Sequence, residues 1–136
     1  MRATVEWQQR MAFIGYGSHR DLTIKFDAPA AVGGDDNGFR PKELMLQALC
    51  GCTAMDVISI LHKMQQQPSR LIVSASASET NEHPKIYDEV HLQYQVSGAV
   101  DKEKMVKAVD LSQNRYCGVS AMFRQFAELT YEICYE

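Results

Sequence analysis

Four cysteines are the residues of this chain best able to do chemistry, and their settings separate them. Cys52 lies in Leu49-Cys50-Gly51-Cys52-Thr53-Ala54-Met55-Asp56, within a long apolar run. Cys117 lies in Tyr116-Cys117-Gly118-Val119-Ser120, where a later helix is predicted to begin. The two are far apart in the chain and belong to different elements. Neither is part of a CxxC or of a Cys/His ligand set. This pattern suits a thiol pair assembled by the fold, one cysteine attacking and the other resolving. It also suits two packed thiols, the commoner fate of a free cysteine.

The predicted elements give each candidate a setting. On a helix, Cys52, Asp56, Ser59 and Lys63 fall at i, i+4, i+7 and i+11 and share one face. This polar stripe on an otherwise apolar helix lines either a pocket, with Cys52 at one end, or a solvated seam. Cys50 points to the opposite face, toward packing. At a helix start, Cys117 faces unsatisfied N–H groups and the positive end of the dipole, which stabilise a thiolate. Gly118 next to it permits close backbone approach. Cys134 lies in the final strand on the face of Thr130 and Glu132, and is expected to be partly exposed and non-catalytic.

Two further residues join the candidates. Arg40 ends a glycine-bearing loop and is expected to be free to reach. Beside a carboxylate and a thiol it would lower the thiol pKa and bind an oxygen leaving group; otherwise it is a solvated loop residue. Glu43 precedes Cys52 by nine residues, roughly half a circumference around the helix. The two meet only if the first turn bends or across a dimer interface. Cys52 lies mid-helix and is expected to be unable to use a helix N-terminus, and burial raises a thiol pKa. A nearby cation is therefore expected, with Arg40 and Lys25 the candidates. His19, His62, His83 and His91 share no helix turn, so no metal site is expected. The absence of GxGxxG, P-loop and GxSxG patterns gives no sign of a cofactor.

These residues need a scaffold. Residues 2–8, 11–16 and 21–27 alternate as three strands of a meander, followed by a loop over 28–40 rich in Gly, Asp and Pro. Pro41 suits a first helical turn, and Glu43 there favours the dipole. The helix is predicted to run to about Gln66, apolar nearly all round and therefore central and buried. Strands follow over 70–79 and 86–97, then a helix over 102–114 capped by Asp101, a helix from Cys117 to about Glu128, and a strand over 129–135. The order β-β-β-α-β-β-α-α-β defines an α+β fold, expected to be one domain over residues 1–136.

Composition narrows the classes. The chain has 136 residues, of which 46% are hydrophobic and 23% charged, enough for a core without disulfide staples. Free thiols and an N-terminus without an apolar leader point to a reducing, cytoplasmic setting. The apolar run of the long helix is broken by Gln47, Thr53, Asp56 and Ser59, so it reads as a core helix and not a membrane span. A net charge of −3 without a basic stripe argues against nucleic acid as a partner.

Together, Pro41-Lys42-Glu43-Leu44, Cys52 and the helix start Cys117-Gly118-Val119-Ser120 resemble the OsmC/Ohr superfamily. That family's pattern is a Pro-x-Glu-Leu helix start, a Cys in the same helix, and a later Cys-Pro-Val-Ser-like helix start. The resemblance implies an intertwined homodimer with the long helices at its centre. It implies reduction of organic hydroperoxides at the dimer interface and recycling by an external dithiol. By position, Cys52 would be the peroxidatic cysteine, Cys117 the resolving one and Glu43 a site carboxylate. The chain departs from the pattern twice. Lys25-Phe26-Asp27 stands where the family's peroxidases carry a strand Arg, with Arg40 a possible substitute, and Gly118 stands for the usual Pro. The alternative is a non-catalytic module on the same scaffold that binds an apolar small molecule or senses redox state.

Overall fold

The computed structural model describes residues 1–19 and 21–136. They form two compact units, residues 1–45 and 46–136. In the first, β1 (Thr4–Gln9), β2 (Ala12–Tyr16) and β3 (Thr23–Phe26) make an antiparallel meander in the order β1-β2-β3. Phe13 pairs with Phe26, and the Phe26 ring lies over Gly15, where a Cβ would stand 2.6 Å from a ring carbon. The loop after β3 is ordered by Asp27, which is only 4% exposed. Its carboxylate accepts the backbone N–H groups of Ala28, Asp35 and Asn37. Burial works against that charge. The three N–H donors and the Arg40 guanidinium outweigh it and hold the carboxyl below its ordinary value. Gly34 packs so tightly on Ala28 that a Cβ would fall 1.8 Å from the Ala28 carbonyl oxygen. A single 3-10 turn, Ala30–Val32, interrupts the predicted loop.

The long helix α1 (Pro41–Lys63) begins in the first unit and continues through the second. It ends at Lys63, short of the predicted Gln66, where Gln65 turns to positive φ and the Gln66 N–H closes back on the Leu61 carbonyl. The second unit adds β4 (Arg70–Glu79), β5 (Tyr87–Ser97), α2 (Lys102–Leu111), α3 (Gly118–Phe123) and β6 (Glu128–Tyr135). Its sheet has the order β4-β5-β6, with β6 parallel to β5. Parallel neighbours require a crossover, and α2 and α3 supply it. On β5, Val90, Leu92, Tyr94 and Val96 alternate inward as predicted. They form one core with Leu49, Val57 and Leu61 of α1 and Met105, Ala108 and Val109 of α2.

Three expectations need correction. The predicted helix over 102–114 ends at Leu111, and Ser112–Tyr116 widens into a π-helical turn. The last helix covers only Gly118–Phe123, because the chain turns through Arg124–Ala127 to enter β6. Finally, α1 is buried along one stripe only: Leu49, Thr53, Val57, Ile60 and Leu61. Met55, at 75% exposure, faces outward. By length and composition α1 could cross a bilayer, yet its buried stripe belongs to a protein core, as expected of a core helix.

Candidate active site

The second unit brings Cys52 and Cys117 together. Cys52 sits at mid-length on α1, half-buried. Cys117 is the N-cap of α3 and only 3% exposed. The π-helical turn sets its position, since the Cys117 N–H donates to the Ser112 carbonyl at 2.8 Å. Its Sγ accepts the Ser120 N–H at 3.3 Å, the capping role usually filled by an oxygen. The two thiols are hydrogen-bonded to each other, and both are free. Asp56, one turn after Cys52, places a carboxylate oxygen within 4.8 Å of both sulfurs.

Cys52 also receives the backbone N–H of Val119, in the first turn of α3. A thiol in the middle of one helix thus uses the N-terminus of another, an option the sequence reading had excluded. The balance still lies above the ordinary thiol value. Burial is the largest influence, the hydrogen bond with Cys117 adds to it, the Val119 N–H opposes it, and the negative charge of Asp56 raises it further. The groups acting most strongly on Cys52 include no cation.

Arg40 and Glu43 have engagements within the first unit. The Arg40 guanidinium donates to the carbonyls of Asp27 at 3.0 Å and Gly38 at 2.9 Å, and pairs with the Asp36 carboxylate. It is therefore tethered to its own loop, contrary to the expectation of a free side chain. Glu43 Oε2 accepts the Arg40 backbone N–H at 3.2 Å, which is half of a capping box for α1. Lys25 lies on β3 opposite Ile14. Cys50 packs against the core, and burial pushes its thiol up. Cys134 is half-buried on β6, as expected.

Sequence reasoning missed the polar cluster behind the thiols. Thr53 Oγ1 lies 2.6 Å from Tyr94 OH and 2.9 Å from Ser112 Oγ. Gln113 Nε2 donates to both Thr53 Oγ1 and Tyr94 OH. Arg124 donates to the carbonyl and side-chain oxygens of Gln113. Ser112 Oγ then reaches Asp56 Oδ2 at 3.1 Å. The cluster ties α1, β5 and the π-helical turn together beside the sulfurs. Tyr94 was legible as inward-facing, but nothing local marked Gln113 as its partner. Asp56, Ser59 and Lys63 line a pocket of about 400 Å³, shared with Lys107, Leu111 and Tyr116, but Cys52, expected at one end of it, is not among its lining residues.

An α+β scaffold of this topology, with a cysteine on its long helix and another at the last helix start, defines the OsmC-like class. The comparisons agree: the model of the OsmC-like protein family matches residues 33–132, and the chain belongs to that family. It is 32% identical over 132 residues to protein YhfA of Escherichia coli K12, spanning 96% of this chain and 95% of the relative. A hypothetical protein from Aquifex aeolicus superposes with a TM-score of 0.82 at 27% identity, covering 99% of this chain and 96% of that one. The organic hydroperoxide resistance protein OhrB of Bacillus subtilis shares the fold, with a TM-score of 0.70 at 17% identity and 98% coverage of both chains.

Proposed function

We propose that this protein is a cytoplasmic, homodimeric thiol peroxidase that reduces organic hydroperoxides. The observation that carries this reading is the hydrogen-bonded Cys52–Cys117 pair at the start of α3. The family, which includes organic hydroperoxide resistance proteins, supports it. In the reaction, the Cys52 thiolate attacks one peroxide oxygen and the O–O bond breaks. The alkoxide takes a proton and leaves as an alcohol, and Cys52 becomes a sulfenic acid. The Cys117 sulfur then displaces water from it and forms a disulfide. An external dithiol restores both thiols and is itself oxidised to a disulfide.

The Val119 N–H supports charge on Cys52, while Asp56 opposes it. The reaction still needs a cation, and Arg40, once released from Asp36, is the proposed source, with Lys25 the weaker candidate and Glu43 holding the Arg40 backbone. The homodimer is supported by apolar surface that one chain leaves open: Val5, Trp7, Leu22, Ile24 and Phe39 in the first unit, and Met55 on α1.

The test is consumption of an alkyl hydroperoxide by purified protein with a dithiol donor. Turnover should vanish in Cys52→Ser, and one equivalent of peroxide should link Cys52 to Cys117 and leave Cys50 and Cys134 reduced. Arg40→Ala should slow the reaction more than Lys25→Ala. No turnover, together with a Cys52 alkylation profile that neither mutation moves, favours the binding or redox-sensing module. The raised Cys52 thiol is the observation on the side of that second reading.

A further inference from the structure

Histidine spacing could not reveal ligands drawn from two separate elements. Cys52 Sγ, Cys117 Sγ and an Asp56 carboxylate oxygen all lie within 4.8 Å of one another. A tetrahedral zinc ion with bonds of about 2.0–2.3 Å holds its ligand atoms roughly 3.3–3.8 Å apart, so small side-chain adjustments would close the trio on one ion. Two thiolates and a carboxylate form a donor set for zinc-class metals, in preference to magnesium or calcium.

The surroundings resemble an outer ligand shell. Ser112 Oγ holds Asp56 Oδ2 at 3.1 Å, and Ser112 is itself held by Thr53. The Ser120 N–H donates to Cys117 Sγ, and the Val119 N–H donates to Cys52. Hydrogen bonds of this kind fix ligands and favour their ionised forms. Asp56 also lines the pocket shared with Lys63 and Tyr116, so one of the three donors borders open space.

We propose that the reduced Cys52–Cys117 pair and Asp56 bind a zinc ion, with solvent in the fourth position. Binding forms two Zn–S bonds and one Zn–O bond and releases the two thiol protons, with no change of oxidation state. The ion and the Cys52–Cys117 disulfide exclude each other, because each consumes both sulfurs. Zinc therefore masks the thiols until it is removed. The site uses the thiols of the proposed peroxidase but does not depend on peroxide turnover.

The experiment titrates Zn²⁺ into the reduced full-length protein against a chromophoric chelator and maps thiol alkylation at each point. One ion per chain should bind, shielding Cys52 and Cys117 while Cys134 keeps its alkylation rate. Co²⁺ in place of zinc should show thiolate charge-transfer bands and the intense visible bands of a tetrahedral site. Loss of even an outer-shell partner weakens metal sites about 10–100-fold, so Asp56→Asn should weaken binding by at least about tenfold. Unchanged alkylation in the wild-type protein, or undiminished binding in a Cys52→Ser, Cys117→Ser double variant, overturns the site. Equal affinity in Asp56→Asn overturns the three-ligand set. Peroxide turnover without zinc binding removes this proposal alone; zinc binding without turnover removes the peroxidase alone.

Discussion

The two units of this chain cohere by different means. In residues 46–136, apolar side chains from α1, α2 and β5 fill a common core, and the buried Thr53, Tyr94, Ser112 and Gln113 side chains are partnered with one another, while Ser120 Oγ is buried without a partner. Among the described residues of 1–45 no large apolar side chain is buried; those buried are Asp27, Gly15 and Gly34. That unit relies on strand pairing and on a carboxylate gathering backbone N–H groups. Burial of area tolerates small changes in shape, whereas a carboxylate cage depends on one charge and one geometry. A meander with Val5, Trp7 and Ile24 on its surface has apolar area still to cover.

The sharpest test of this contrast is Leu61→Ala. Leu61 is fully buried, and its truncation should cost about 2–5 kcal/mol by urea unfolding. A cost near zero would mean that the second unit is not held by its core. Next is Asp27→Asn, which should loosen the first unit and leave the second intact, as read by hydrogen exchange of the Asp35 and Asn37 amides. The pH dependence has a definite sign. The Asp27 pKa is lower in the folded chain than its ordinary 3.8. Its stabilisation is therefore fully present above that value and is lost as the pH falls through the lower, folded value. The difference between wild-type protein and Asp27→Asn should close in that acid range; a constant difference would mean that charge is not what orders the loop. The smallest effect belongs to Val5→Ala, within about 0.5 kcal/mol for an exposed side chain of an isolated monomer. Sedimentation should find a dimer at micromolar concentration, in which case the cost of Val5→Ala rises with protein concentration. A monomer there removes the proposed homodimer.

Much of the scaffold was legible because it is periodic. Leu71, Val73, Ala75 and Ala77 alternate cleanly, and the strand lies where they place it, Arg70–Glu79. Asp101 caps α2 as predicted, its carboxylate accepting the Lys104 N–H. The π-helical turn was not legible, because widening a helix by one residue leaves no compositional mark. The same turn places Cys117, so the meeting of the two sulfurs was an expectation without a geometry. The Val119 N–H at Cys52 was hidden for a related reason: every backbone carries that donor, and only tertiary packing aims it. Arg40 was misjudged because its acceptors are mostly carbonyls, which composition cannot display.

The parallel docking of β6 makes the thiol pair depend on an element that carries neither thiol. Cys52 lies on α1, ahead of the crossover in the chain. Cys117 sits on the crossover, and that crossover is fastened from its far end. Tyr131 on β6 donates to Asp110 near the end of α2, and Tyr135 donates to the Lys102 carbonyl near its beginning. Both anchors lie on β6, which follows the crossover in the chain. Without them, α2 keeps its packing on β5 but loses both side-chain hydrogen bonds from β6. The meeting of the two sulfurs is thus braced by a strand that carries neither of them.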